Sequence, residues 1–135
     1  MQHFLFGLSV YVWAHTAWAQ ADTTVQQAQT CHGALSALLT VPNLPSQELV
    51  ALKSAQAVMA RLAQADDAAL AQATRDVQIQ KTQARASFTQ TVVLCGAWAD
   101  GFLAQGAEYR YVPVFPKIVA PTVRSRYEGL AAQVP

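Results

Sequence analysis

The sequence predicts an all-α protein: a small helical bundle of three main helices, an extended aromatic- and proline-rich C-terminal arm and a short final helix, stapled by one disulfide. Three observations carry that expectation. Glycine and proline are absent from Ser46 to Leu94, while alanine and glutamine, both tolerant of helix, dominate residues 50–90. Apolar residues recur at three- and four-residue steps along much of the chain. The two cysteines, Cys31 and Cys95, stand far apart in a chain that opens like an exported one.

That opening is a short apolar run. From Phe4 to Trp18 nearly every residue is apolar or small, and no charged residue precedes Asp22. Ala17, Trp18 and Ala19 supply a small-x-small cleavage pattern, and the run is too short to span a bilayer comfortably. The expected organisation is a signal peptide over 1–19 with cleavage near Ala19, a helical bundle over 20–106, and a C-terminal arm with a short helix over 107–135. Gln2 and His3 stand where Lys or Arg is usual and His15 interrupts the apolar core, so an uncleaved amphipathic anchor is the alternative. The expected location is periplasmic or secreted, with no stable membrane span after cleavage.

The first helix is expected after Asp22, a good N-cap residue, with Val25, Ala28, Cys31 or His32, Leu35, Leu38 and Leu39 facing inward. Pro42 and Pro45 end it, because each disfavours helix in the residue before it. Ser46 is the expected cap of a second helix, with Leu49, Leu52, Val58 or Met59, and Leu62 inside. Asp66 and Asp67 mark a turn and the start of a third helix.

Two heptad rows run through that third helix: Leu70, Val77, Ala84, Thr91, Trp98 and Thr74, Lys81, Phe88, Cys95, Phe102. Lys81 and Thr74 dilute the first half, so tight packing is expected from Ala84 to Leu103. A continuous helix from Ala68 to Gln105 would reach ~57 Å, so a bend or break is expected near Arg85–Ser87 or at Gly96. Gly106 is the expected C-cap. Beyond it, "YRYVPVFPKIVAP" holds three prolines among aromatic and β-branched residues. It reads as an extended arm burying Tyr109, Tyr111 and Phe115, with Pro121 opening the final helix.

Cys31 is followed directly by His32, but residues 28–32 read Ala-Gln-Thr-Cys-His, and c-type haem attachment normally requires a second cysteine three positions earlier. After signal removal His32 is the only histidine, so no zinc-like ligand set forms. Adjacent helical residues diverge by about 100°, which also separates a Cys–His nucleophile pair. Two cysteines in an oxidising compartment favour a structural Cys31–Cys95 bond. No cofactor, metal or catalytic residue is assigned.

Charge excludes another class. The chain carries nine basic and eight acidic residues, a net +1, whereas a nucleic-acid binder needs a concentrated basic face. Asp66 and Asp67 are neighbours at a helix start, where carboxylates cap and complement the dipole. Lys81 and Arg85 form an i,i+4 like-charge pair, mildly unfavourable unless something acidic lies across it. No phosphate-binding loop, dinucleotide fingerprint, nucleophile elbow or zinc-protease helix occurs. Were there an enzyme, Asp100, Glu108 and the Arg124–Arg126 region would be its convergent candidates.

The expected function is therefore non-catalytic: binding another protein, or self-assembly. The candidate binding residues are Trp98, Phe102, Tyr109, Arg110, Tyr111 and Phe115, where the third helix meets the arm and where tyrosine and arginine favour binding hot spots. The alternative is a carrier of a small ligand or haem-like cofactor, with a pocket near Gly96 and Trp98. Glycines inside a helix cost up to about 1 kcal/mol each, and they make sense where something approaches closely.

Overall fold

The computed structural model describes residues 23–106 and 108–135, and the expected signal segment over 1–19 lies outside them. Among the described residues the chain is helical, with no strand. Helix α1 covers 23–38, α2 Ser46–Ala63, α3 Asp67–Gln83, α4 Arg85–Leu103 and α5 Pro121–Ala132. None of these helices is long and apolar enough to cross a membrane.

Helix α1 turns Ala28, Cys31, Ala34, Leu35, Ala37 and Leu38 into the core. It ends where expected, the chain reversing through Asn43 at a positive φ of 59°. Ser46 does not cap α2: Pro45 occupies that position, and no side chain bonds the first turn. Helix α2 leaves its last turn through Gln64 in the left-handed region. Asp66 then caps α3 as expected, its carboxylate accepting a hydrogen bond from the Ala69 N–H at 2.9 Å.

The disulfide joins Cys31 to Cys95 with Cα atoms 5.1 Å apart. Two residues further along α1, and so roughly 200° around it, Gly33 lies against α3. A Cβ there would come within 2.8 Å of the Ala73 carbonyl oxygen and 3.0 Å of a Val77 methyl. Helix α1 is thus held between α4 on one side and α3 on the other. Were α3 and α4 one straight helix, Val77 and Cys95 would stand ~27 Å apart, far more than the ~10–12 Å thickness of α1. The chain has to turn between them.

It turns at Ala84, with φ −146° and ψ 69°, one residue before the expected stretch; Gly96 lies undisturbed inside α4. No glycine or proline stands at the corner, so packing imposes it. Arg85 donates to the carbonyl oxygens of Ala131 at 2.8 Å and Val134 at 3.0 Å, and Lys81 donates to that of Pro135 at 2.8 Å. The like-charge pair therefore lies against main-chain oxygens. It faces carbonyl oxygens at and beyond the C-terminal end of α5, where a cation is favoured. Phe88, fully buried one turn into α4, lies under the Arg85 guanidinium at 5.2 Å.

Helix α5 packs along α4, and Gly96 is the contact that permits it: a Cβ there would overlap the Tyr127 ring. The clearance in α4 that suggested a ligand is filled by this side chain. Tight packing does concentrate in α4, which buries Phe88, Val92, Val93, Cys95, Trp98, Ala99 and Phe102, against only Ala73 and Val77 in α3.

Two outcomes follow for stability. Arg85→Ala removes two charge-assisted bonds at the corner and should lower unfolding free energy in urea by about 1–2 kcal/mol. Lys81→Ala, losing one exposed bond, should change it by less than about 0.5 kcal/mol. Equal effects would mean that Arg85 does not brace the corner. Burial holds the His32 imidazole below its ordinary 6.5, and its Nδ1 is closed off without a hydrogen-bond partner. Above pH 6.5 both folded and unfolded chains carry it neutral. As pH falls through that value the unfolded chain takes up the proton first, and stability declines until the folded imidazole protonates too. Unfolding curves from about pH 7 to about pH 5 should show this slope, and His32→Gln should flatten it; an unchanged slope would contradict the assignment.

Candidate functional site

The aromatic junction foreseen between the third helix and the arm exists, and its members divide into a buried seat and an exposed rim. Trp98 and Phe102, one helical turn apart on α4, are 2% and 1% exposed. Their rings meet edge to face with centroids 5.4 Å apart. Arm residues close over them: Phe115 stands edge-on to Trp98 at 5.2 Å, and Tyr109 edge-on to Phe102 at 4.8 Å. Such pairs add stability beyond the area they bury. The Arg61 guanidinium of α2 covers the Tyr109 ring at 5.6 Å.

Hydrogen bonds fix the arm's backbone to the same helix. The Trp98 indole N–H donates to the Pro113 carbonyl at 2.8 Å, which satisfies a donor that burial would otherwise orphan. The Gln105 side chain meets Tyr111 as a neighbouring strand's peptide group would. Its Oε1 accepts from the N–H of Arg110 at 3.0 Å and of Tyr111 at 3.3 Å, and its Nε2 donates to the Tyr111 carbonyl at 3.0 Å. Gly101 leaves room for the arm, since a Cβ there would sit 3.2 Å from the Pro113 ring.

Of the six sequence-predicted binding residues, Trp98 and Phe102 are core, and Tyr109 and Phe115 are half-buried lids on them. Arg110 and Tyr111 point outward; Tyr111 is 65% exposed, so it is not buried under the arm as expected. Its backbone is used up by Gln105 while its ring projects away. Sequence reading missed the rest of the rim: Val112, and above all Val114 and Ile118, which are 88% and 90% exposed. Their alternation with Pro113 and Phe115 was a signal available in the sequence.

A second cluster joins α2, α4 and α5. The Tyr127 hydroxyl donates to Asp100 Oδ1 at 2.7 Å, and Arg126 reaches Asp100 Oδ2 at 3.5 Å and Glu48 Oε1 at 2.6 Å. The Arg126 guanidinium also covers the Tyr127 ring at 4.8 Å. Burial, and then the bond to Asp100, hold the Tyr127 phenol well above its usual range, so it remains a donor. Burial works against the Arg126 charge, but its bond to Glu48 and the surrounding charges outweigh that and raise its pKa.

Of the groups set aside as enzyme candidates, Asp100 and Arg126 do meet, inside this structural clasp. Arg124 turns instead to Gln90 at 3.3 Å, and Glu108 is exposed, with no bond to it among the described residues. Among the described residues no three His, Cys, Asp or Glu side chains gather as metal ligands. One open cleft, of about 510 Å³ between α1 and α3, is edged by Gln26, Gln29, Gln72 and Gln80. Another, of about 310 Å³, flanks the disulfide.

Comparison with known proteins adds no relative: no family model, no curated protein and no solved structure matches the chain.

Proposed function

We propose that this chain is a small exported helical protein that acts by protein binding or assembly, without catalysis, through its C-terminal arm. The observation that carries this reading is the arm's outward face. Tyr111, Val112, Val114 and Ile118 are 65%, 45%, 88% and 90% exposed on a segment whose inner face is anchored by aromatic contacts and side-chain bonds. Apolar side chains clustered in water on a fixed support mark a recognition surface more often than a defect. Arg110 and Lys117 beside them give it a basic rim. Preordering the arm lowers the entropy lost on binding. The disulfide supports a periplasmic or secreted location, where such bonds persist.

The test is a pair of substitutions at the most exposed positions. Val114→Asp with Ile118→Asp should leave the unfolding midpoint nearly unchanged, because neither side chain packs on anything. It should abolish capture of the partner from the exported fraction of the source cell, or self-association of the purified chain. Retention of both by a folded double variant would overturn the assignment of this surface.

A further inference from the structure

The two helices joined by the disulfide do not close completely on one another. The bond holds Cys31 of α1 and Cys95 of α4 with Cα atoms 5.1 Å apart, and the turns leading into each cysteine border the cleft of about 310 Å³ beside it. Those turns bring Gln27 and Thr30 from α1, and Thr91 and Leu94 from α4; Phe115 of the arm forms a further side. Thr91 continues the heptad row of Val77, Ala84 and Trp98, and a larger apolar residue there would take up the space.

Accessibility falls from mouth to floor. Gln26 and Thr30 are exposed, Thr91, Leu94 and Phe115 are half-buried, and Cys31 and Cys95 are 0% and 2% exposed. The base is therefore sulfur, leucine and an aromatic ring, and the mouth is amide and hydroxyl. None of the described residues that line the cleft is charged. The side chains of Gln26, Gln27 and Thr30 make no hydrogen bond to other described residues. The Thr91 hydroxyl donates to the Ser87 carbonyl at 3.0 Å and keeps its oxygen as an acceptor.

The walls are fixed before anything enters. Helices α1 and α4 are covalently joined at the floor. Phe115 stands edge-on to Trp98 at 5.2 Å, and the Trp98 indole holds the Pro113 carbonyl two residues earlier. A preformed cavity avoids part of the entropy lost on binding. Its volume lies at the lower end of the ~300–1,000 Å³ usual for small-molecule sites.

We propose that this cleft binds a small uncharged aromatic molecule carrying a hydrogen-bonding group at one end. A charged ligand would lose its hydration with no opposite charge on the lining to offset the loss. Polarisable sulfur and the Phe115 ring favour an aromatic face over an alkyl chain. The unengaged amides and hydroxyl at the mouth receive the polar end. This site is separate from the arm's outward face and does not depend on it.

N-phenylnaphthylamine, uncharged with one N–H, and its sulfonated analogue anilinonaphthalenesulfonate form a matched pair of probes. Added to the folded, disulfide-bonded chain, the neutral dye should brighten to saturation at one site, with a Kd of about 50 μM or tighter. The sulfonate should bind at least about tenfold more weakly. Nuclear Overhauser contacts from the bound neutral dye should reach the Leu94 methyls. Thr30→Phe, at an exposed position, should block the mouth and weaken binding at least about tenfold, with the unfolding midpoint unchanged. Gln29→Phe, on the edge of the other cleft, should leave binding unaltered, as should Val114→Asp with Ile118→Asp. Absence of saturable binding, equal affinity for the two dyes, or indifference to Thr30→Phe would each overturn the site. So would contacts to the Val77 or Ile118 methyls in place of Leu94, or loss of binding in either control variant.

Discussion

Cys31 and Gly33 lie two residues apart on one helix and face nearly opposite ways, and between them they hold the bundle in its shape. The sulfur of Cys31 is bonded to α4; the bare backbone of Gly33 lets α3 come against the other side. A helix gripped on both flanks leaves the next stretch of chain no straight path, so the corner at Ala84 is a consequence. Closing a loop across 64 positions is worth about 4 kcal/mol in the chain-entropy account. That is comparable with the whole net stability of a small domain. The alanine-rich helices, which bury few large side chains outside α4, depend on that contribution.

The arm depends on the bundle in turn. Trp98 and Phe102 occupy α4 one and two turns beyond Cys95, so the disulfide and the aromatic seat share a rigid element. Tyr109 and Phe115 lie down on that seat, and Gln105 and Trp98 bond backbone groups of Arg110, Tyr111 and Pro113. What remains outside is a strip of valine, isoleucine and tyrosine that the fold itself does not use. Stability thus uses one side of the segment, and the proposed recognition would use the other.

Much of this was legible from residue order. The helices, the Asp66 cap, the stop at Pro42, the disulfide and the start of α5 at Pro121 each have a local signal: periodicity, cap chemistry, proline or cysteine count. The corner at Ala84 has none, because alanine is a good helix former and the turn is imposed by α1 and braced by Arg85 from a distance. The like-charge pair Lys81–Arg85 hinted at a partner across it, yet nothing local said that the partner was a helix end. Gly96 was correctly read as a place of close approach, but not that a tyrosine 31 positions later would fill it. Tyr111 was expected inside because it is aromatic. Its backbone, engaged by Gln105, sets its direction instead.

The most direct measurement is alkylation of the protein, recovered from the compartment where it accumulates, without reductant, followed by proteolysis and mass spectrometry. The account predicts one crosslinked peptide pair containing Cys31 and Cys95, with no alkylated cysteine until reductant is added. Free labelling of both sulfurs in the folded, unreduced protein would contradict it.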